Sequence, residues 1–203
     1  MKSVLILFAH PRFEQSRTNK VLVQGIKSNS EVTFHDLYET YPDFHIDIPY
    51  EKKLLEQHDV IIWHHPFYWY SCPPLMKQWI DLVLEYGWAY GPNGNALNGK
   101  KCLQIITTGG SAKVYCAKGK NVYSINEFLR PFEQTARLCG MEYLAPFAIM
   151  GTHQLTRDDL QKYALQYQQI IGNLQQDKPI EALKNCIFQN DLPQLRNENI
   201  NSI

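Results

Sequence analysis

Short apolar runs alternate with helix-length segments along most of the chain. A run of four to eight apolar residues bounded by turn residues is typical of a strand that is buried on both faces. Five segments have this pattern, and they predict strands at Val4–Ala9, Glu31–His35, Asp59–His64 and Cys102–Thr107, with a fifth strand inside Met141–Met150. Strands that alternate with helices indicate βαβ units and hence a parallel sheet.

Apolar residues at three- and four-residue spacing predict helices between these strands. One helix is expected near Thr18–Lys27, and another at Leu75–Tyr86. The apolar face of the second helix is predicted from four residues, Leu75, Trp79, Leu82 and Tyr86. Two capping boxes, in which a hydroxyl and a carboxylate satisfy the first amides of a helix, predict two further helices. They are Ser124 with Glu127, for a helix that reaches about Leu138, and Thr156 with Asp159, for the last helix.

Five such alternations within about 175 residues predict an α/β fold, namely a flavodoxin-like doubly wound sheet of five parallel strands with helices on both faces. An eight-stranded α/β barrel would need about 250 residues. The domain with this fold is expected to span residues 1–176. Residues 177–203 contain five asparagines and few apolar residues. They are predicted to form a C-terminal tail that is partly ordered or packs on the domain or on a partner subunit.

Composition narrows the class of protein. The chain has 203 residues, of which 44% are hydrophobic, and its 20 basic and 20 acidic residues cancel. No basic excess is present to replace the counterions of phosphates, which argues against nucleic acid as a partner. The five cysteines are an odd number without a CxxC pair, which favours a reducing compartment. No apolar run approaches the length of a bilayer span, so a cytoplasmic location is expected.

Ligands of open α/β sheets bind outside the carboxyl ends of the strands, which directs attention to the loops there. The loop after the first strand contains neither GxGxxG nor a P-loop. Instead, Ser16, Thr18 and Asn19 lie where a helix begins, and free amides and the helix dipole at such a place favour an anion. An ordinary helix cap in a turn is the alternative interpretation.

Four consecutive aromatic residues, Phe67, Tyr68, Trp69 and Tyr70, follow the third strand. Four neighbouring rings cannot all face one core, and the flanking prolines prevent the segment from continuing as a strand or helix. A flat apolar ligand that stacks on this loop would explain the density of rings.

The loop after the fourth strand, Thr107–Gly110, has two adjacent glycines. Glycine permits close approach of the backbone and leaves amides available to an electron-rich edge, although this sequence suits a tight turn equally well. His64 and His65 do not indicate a metal, because adjacent strand residues point to opposite faces and no carboxylate or thiol lies at ligand spacing. Together the three loops predict one site for a planar ligand.

These motifs, taken together over about residues 3–175, resemble the NAD(P)H:quinone oxidoreductase family with the flavodoxin-like fold. They are closest to its short bacterial branch, which includes the ancillary reductases of glutathione-gated potassium-efflux systems. The segments that carry the resemblance are Ala9–Pro11, Ser16–Asn19, Tyr41–Asp47, Pro66–Tyr70, Pro73–Ile80, Gly87–Gly91 and Thr107–Gly110.

The resemblance implies a tightly bound flavin, with its phosphate beside His10 and the Ser16–Asn19 turn. The isoalloxazine ring would lie along Phe67–Tyr70 with Trp69 as the main wall, and Thr107–Gly110 would face the pyrimidine edge. FMN is expected because the chain is short, and FAD is the alternative. The cofactor residues implied by the resemblance are His10, Ser16, Arg17, Thr18, Asn19, Pro66, Phe67, Tyr68, Trp69, Tyr70, Thr107, Thr108, Gly109, Gly110 and Tyr115.

Tyr115 matches the family's active-site tyrosine, whose hydroxyl hydrogen-bonds the quinone or the flavin, and it is the expected catalytic residue. Six residues later, larger relatives have a histidine where this chain has Asn121, which can donate a hydrogen bond but cannot shuttle a proton near neutral pH. Tyr68 replaces a frequent glutamine, and Tyr90 resembles a residue that closes the neighbouring subunit's site in a homodimer. Tyr68, Tyr90 and Asn121 are therefore the candidate substrate residues.

The function implied by the resemblance is two-electron hydride transfer from NAD(P)H through a flavin to a quinone or a similar small acceptor. The alternative is a flavin-binding regulatory subunit of a membrane potassium antiporter, which would hold the protein at the inner face of the membrane through that partner. A one-electron carrier is less favoured, because such carriers tend to be acidic with a shielded flavin and this chain is neutral.

Overall fold

The computed structural model describes residues 1–27, 29–176 and 188–191. The strands are β1 (Val4–Phe8), β2 (Val32–Asp36), β3 (Val60–Pro66), β4 (Lys101–Thr107), β5 (Glu142–Tyr143) and β6 (Phe147–Ile149). The helices are α1 (Arg17–Lys27), α2 (Leu37–Thr40), α3 (Ile48–Gln57), α4 (Pro74–Val83), α5 (Ile125–Leu138) and α6 (Arg157–Gln175).

The strands form one parallel sheet in the order β2-β1-β3-β4-β5, with β6 also paired to β4. This topology confirms the predicted flavodoxin-like, doubly wound sheet. The number of strands differs from the five predicted, because the fifth is broken in two. β5 pairs with Lys101 and Cys102, whereas β6 pairs with the last three residues of β4. Pro146 lies in the gap, and its lack of an N–H interrupts the ladder.

Both faces of the sheet are covered by helices, which explains why the strand sequences are continuously apolar. In β1, Val4, Ile6 and Phe8 face one core, which is closed by α1 and α6. Leu5 and Leu7 face the other core, which is closed by α3, α4 and α5. Every residue of β1 is buried. This arrangement brings the carboxyl ends of β1, β3 and β4 to a common edge, where the three loops singled out by the sequence emerge.

The helix predicted at Leu75–Tyr86 is shorter than expected, and the face that it buries differs from the predicted face. α4 ends at Val83, and the side chains of Leu82 and Tyr86 are exposed. The face that packs on the sheet consists of Leu75, Met76, Trp79, Ile80 and Val83. Both predicted capping boxes are confirmed, at the starts of α5 and α6.

The sequence pattern did not predict α2 or α3. In α3 a carboxylate occupies the buried face, since Glu51 is fully buried. Its oxygens are bound by the ring nitrogen Nε2 of His35 at 2.6 Å, the hydroxyl of Tyr41 at 2.5 Å and the indole nitrogen of Trp79 at 2.7 Å. A buried charge that is paired in this way is tolerated in a core, but it removes the apolar period that marks an amphipathic helix.

The predicted tail, 177–203, lies outside the described residues except for 188–191. This short piece covers the free edge of β6, where the carboxamide of Asn190 accepts from the amide of Ala148 at 3.0 Å and donates to its carbonyl at 3.1 Å. A covered edge cannot pair with another strand. Within the part of the chain that is described, no helix is both long and apolar enough to cross a bilayer.

Candidate functional site

A cavity of about 490 Å³ opens at the carboxyl end of the sheet, between the three loops. Its volume is within the usual range for a small-molecule site. Its lining residues are His10, Arg12, Gln15, Ser16, Arg17, Thr18, Asn19, Pro66, Phe67, Tyr68, Thr107, Gly109, Thr152 and His153. The loops after β1, β3 and β4 therefore converge on one cavity.

The beginning of α1 forms the polar end of the cavity. Ser16 caps the helix, because its Oγ accepts from the amide of Asn19 at 3.2 Å. The amides of Arg17 and Thr18 precede the first intrahelical bond, and no hydrogen bond within the described ranges uses them. The Arg17 guanidinium donates to the carbonyls of Thr152 and Leu155 at 2.9 and 2.7 Å, which ties α1 to the loop after β6. The polar end thus presents free N–H donors on a braced helix, and this is the chemistry of an anion site.

His10 lines the same polar end and is buried. Burial lowers the pKa of His10 to about 4, so the ring is neutral at physiological pH. Its Nδ1 accepts from the amide of Arg12 at 3.1 Å, which places the ring proton on Nε2. His10 therefore offers one N–H donor and carries no charge.

The turn that follows β3, residues Tyr68–Ser71, is called here the aromatic turn. The amide of Ser71 donates to the carbonyl of Tyr68 at 3.0 Å, and the two central residues have positive φ, 48° for Trp69 and 64° for Tyr70. Asn-Gly sequences prefer this geometry, and bulky residues adopt it at a cost of about 1–3 kcal/mol each. Despite this cost, the Trp69 side chain is 92% exposed. Strain combined with exposure of a large ring indicates a functional constraint on the turn.

Exposure differs sharply among the four aromatic residues. Phe67 is buried, whereas Tyr68 and Tyr70 are partly exposed and Trp69 is almost fully exposed. The inference that they cannot share one core is therefore confirmed. Phe67 and Tyr68 line the cavity, while Trp69 and Tyr70 lie on the adjoining tip of the turn.

The loop after β4 provides the third wall. The amide of Thr108 donates to the carbonyl of Ile149 at 2.9 Å, and the Thr108 hydroxyl donates to the carbonyl of Gly110 at 2.6 Å. The amides of Gly109 and Gly110 donate to no group in the described residues. A Cβ on Gly109 would lie 2.9 Å from Nε2 of His153, so a larger residue here would displace that side chain. The free amides and absent side chains suit an electron-rich ligand edge.

Tyr115 packs beside this loop, with its ring 5.9 Å from that of Phe67. A Cβ on Gly110 would lie 2.9 Å from Cε2 of Tyr115. Burial raises the pKa of Tyr115 above its usual value, against a smaller lowering by the Thr108 hydroxyl. The phenol therefore keeps its proton and remains a hydrogen-bond donor at neutral pH.

The two remaining candidate substrate residues lie apart from the cavity lining. Asn121 accepts a hydrogen bond from the Tyr70 hydroxyl at 3.3 Å, so it adjoins the aromatic turn. Tyr90 packs against Tyr86, with ring centroids 5.7 Å apart, and does not line the cavity.

The adjacent histidines point to opposite faces of the sheet, as the strand geometry predicts. His64 contacts Tyr167 of α6, and His65 lies against Phe132 of α5. Burial lowers the pKa of His65 to about 4 and that of His64 well below its usual value. Nowhere in the described ranges do three His, Cys, Asp or Glu residues cluster as a metal site.

Four of the lining residues were not predicted from the sequence, namely Arg12, Gln15, Thr152 and His153. Thr152 and His153 lie in the loop after β6, which is the carboxyl end of the broken fifth strand. The same rule that directed attention to the first, third and fourth strands also applies to this loop. Its sequence lacks glycine pairs or clustered rings that would have singled it out.

Comparison with known proteins agrees with this architecture. A family model described as flavodoxin-like fold matches residues 2–171. The glutathione-regulated potassium-efflux system ancillary protein KefG of Pectobacterium atrosepticum is 46% identical over 164 residues, which are 81% of this chain and 90% of that protein.

Two solved structures are similar over nearly their whole length. General stress protein 14 of Treponema denticola, in complex with FMN, is 41% identical with a TM-score of 0.82, covering 85% of this chain and 99% of its own. An NADPH-quinone reductase from P. pentosaceus is 34% identical with a TM-score of 0.76, covering 84% and 97%. These matches confirm the resemblance predicted from the motifs. The chain belongs to the flavodoxin-like fold family of flavoproteins and quinone reductases.

Proposed function

We propose that this protein is an FMN-dependent oxidoreductase that takes a hydride from NADH or NADPH and passes two electrons to a quinone or a similar flat acceptor. One observation carries the proposal. A single cavity has free N–H donors of a helix beginning at one end and an exposed, strained aromatic turn at the other. A phosphate ester joined to a planar ring system matches both ends.

The residues present fit FMN. The amides of Arg17 and Thr18 and the Nε2–H of His10 suit a phosphate. The indole of Trp69 is free to cover a flat ring, and the amides of Gly109 and Gly110 suit the carbonyl-rich edge of such a ring. When bound, the flavin would supply the hydride-accepting and hydride-donating chemistry, which no side chain can provide.

The protein's own groups would orient the bound molecules and stabilise the negative charge that develops on them. Unpaired amides aimed at an electron-rich edge stabilise negative charge without any reorganisation, in the manner of an oxyanion hole. Tyr115 keeps its proton at neutral pH, so its hydroxyl can donate a hydrogen bond to an acceptor oxygen. Asn121 cannot replace a histidine in proton transfer, and we therefore assign it only to positioning Tyr70.

The relatives support this proposal. One was solved in complex with FMN, and another is named an NADPH-quinone reductase. FMN is favoured over FAD because the similar structure of general stress protein 14 from Treponema denticola is a complex with FMN. A homodimer in which Tyr90 closes the partner's site remains part of the proposal.

The test is reconstitution with FMN followed by steady-state kinetics. We expect a yellow protein that oxidises NADH or NADPH in the presence of a quinone with ping-pong kinetics. Mass analysis of the heat-released cofactor separates FMN from FAD. A protein that retains no flavin after reconstitution would contradict the proposal.

A second candidate function rests on the 46% identity to KefG. In that role the protein would dock on a membrane potassium antiporter, and flavin binding would serve regulation. Co-purification with an antiporter, together with potassium efflux that is unchanged by Tyr115→Phe, would favour docking. Efflux that falls in parallel with quinone reduction would favour catalysis as the main role.

A further inference from the structure

His64 is fully buried in β3 and takes no direct part in the proposed chemistry, yet both of its ring nitrogens are paired. Nδ1 lies 3.2 Å from the hydroxyl of Tyr167 in α6, and Nε2 lies 3.0 Å from Oδ1 of Asn19 in α1. Burial lowers the pKa of His64 well below its usual value and raises that of Tyr167, so the ring is neutral and the phenol is protonated. The two helices on this face are thus joined through one neutral imidazole.

The chain of hydrogen bonds continues to the cavity. Nδ2 of Asn19 lies 2.9 Å from Oγ of Ser16 and 3.2 Å from Oγ1 of Thr107, and both of these residues line the cavity. The full path therefore runs from Tyr167 through His64 and Asn19 to two hydroxyl groups at the polar end.

Such a chain can be polarised in either of two directions, because a carboxamide can be rotated and a neutral imidazole has two tautomers. In one direction Tyr167 donates to Nδ1, the Nε2–H donates to Asn19, and Asn19 donates to both hydroxyl oxygens. In the reverse direction Tyr167 accepts, and its buried proton has no other acceptor within the described ranges. A buried unpaired donor costs about 1–3 kcal/mol, so Tyr167 selects the first direction.

The selected direction determines what the two hydroxyls offer to a ligand. Oγ of Ser16 already accepts from the amide and from Nδ2 of Asn19, and Oγ1 of Thr107 accepts from the same Nδ2. Their own protons are therefore free to point into the cavity. In the reverse direction both hydroxyls would donate to Asn19 and would present lone pairs to the ligand, which would repel an anion.

We propose that Tyr167 and His64 are positioning residues that set the hydrogen-bond polarity of the polar end, so that Ser16 and Thr107 donate to a phosphate ester. This inference rests on the proposed function in that the ester is the phosphate of FMN. It adds that the specificity for that group depends on a buried phenol of α6, on the same face of the sheet as α1.

The test compares binding of FMN with binding of riboflavin, which has the same ring and no phosphate, to the apoprotein by fluorescence titration. Tyr167→Phe removes only the hydroxyl. We expect it to weaken FMN binding about tenfold, the equivalent of one hydrogen bond of about 1.4 kcal/mol, and to leave riboflavin affinity within about twofold. A merely structural role of Tyr167 would weaken both ligands alike.

Tyr163→Phe is the matched control. Tyr163 lies one turn earlier on α6, and its side chain borders a separate cavity with Lys162 and Asn190. The same truncation there should change neither affinity. His64→Gln should retain FMN binding better than His64→Leu, because a carboxamide can accept from Tyr167 and donate to Asn19 while leucine can do neither.

The outcomes separate this inference from the function. Equal losses of FMN and riboflavin affinity in Tyr167→Phe, or no loss of either, would overturn the inference and leave the proposed function standing. A wild-type protein that binds neither flavin would overturn both. A loss confined to FMN, absent in the Tyr163→Phe control, would support the inference.

Discussion

The two ends of the cavity are built in opposite ways. At the polar end, the donors come from buried and braced groups, since Ser16 and Asn19 are held through His64 and α1 is tied down by Arg17. At the other end, the aromatic turn has two residues at positive φ and leaves Trp69 exposed. Rigid donors suit a small charged group with fixed geometry, whereas an exposed ring on a strained turn suits a flat surface that is covered and uncovered during turnover. The comparison predicts different behaviour when each end is perturbed.

The largest expected effect is a loss of protein stability in acid, which arises from buried histidines at and behind the polar end. His10 and His64 are held neutral by burial, with the folded-state pKa of His10 at about 4 against 6.5 when unfolded. Between pH 6.5 and 4 the unfolded chain binds protons that the folded chain does not, so the free energy of unfolding falls as the pH is lowered through this window. His10 alone should contribute on the order of 2 kcal/mol after allowance for solvent screening.

Urea unfolding at pH 6.5, 5 and 4 measures this slope. His10→Gln should flatten it, because over this range His10 binds a proton in the unfolded chain and not in the folded one. A wild-type stability that does not decrease towards pH 4 would contradict the assignment of neutral buried histidines.

The second effect distinguishes the two ends of the cavity by comparing the affinities for FMN and riboflavin. Ser16→Ala removes a hydroxyl that can donate to the phosphate, and hydrogen bonds to charged groups contribute about 1.5–3 kcal/mol. FMN affinity should therefore fall about 10- to 100-fold while riboflavin affinity is retained. Ser124→Ala, which removes the cap of α5, is the matched control for lost helix capping and should affect neither ligand. Equal weakening of both flavins by Ser16→Ala would mean that the phosphate does not bind there.

The third effect concerns the acceptor. Tyr115→Phe should lower kcat with a quinone about tenfold through the loss of one hydrogen bond, and leave FMN affinity unchanged. The comparison of kcat with the dissociation constant of FMN checks both statements. An unchanged kcat would remove Tyr115 from the catalytic assignment.

The smallest effect tests the strain in the aromatic turn. Trp69→Gly should raise the free energy of unfolding by about 1 kcal/mol, because glycine adopts positive φ without a Cβ penalty, and should weaken FMN and riboflavin equally. Val122→Gly offers a comparison, since Val122 also has a positive φ of 65°. It should gain stability without losing flavin affinity. A destabilised Trp69→Gly protein would show that the exposed indole supports the fold.

The sequence was most informative where local chemistry and burial agree. Continuous apolar strands and two capping boxes predicted the sheet and two helices, because their signals do not depend on distant residues. α3 was not predicted, since its buried Glu51 is stabilised by His35, Tyr41 and Trp79 from three other parts of the chain. The predicted apolar face of α4 included Leu82 and Tyr86, but Val83 packs on the sheet in place of Leu82, and Tyr86 lies beyond the end of the helix.

In the candidate site, too, local signals could be recognised from the sequence, whereas contacts between distant residues could not. The three loops could be located from the sequence because the carboxyl-end rule applies to any parallel sheet. The participation of His153 and the path from Tyr167 to Ser16 depend on side chains that meet only in the folded chain. No spacing along the sequence connects α6 to the start of α1.

The crystal structure of the FMN-loaded protein tests the central claim most directly. We expect the phosphate oxygens within hydrogen-bonding distance of the amides of Arg17 and Thr18 and of the hydroxyls of Ser16 and Thr107, with the ring against the aromatic turn. A flavin bound elsewhere, or one whose phosphate points away from the beginning of α1, would contradict the account.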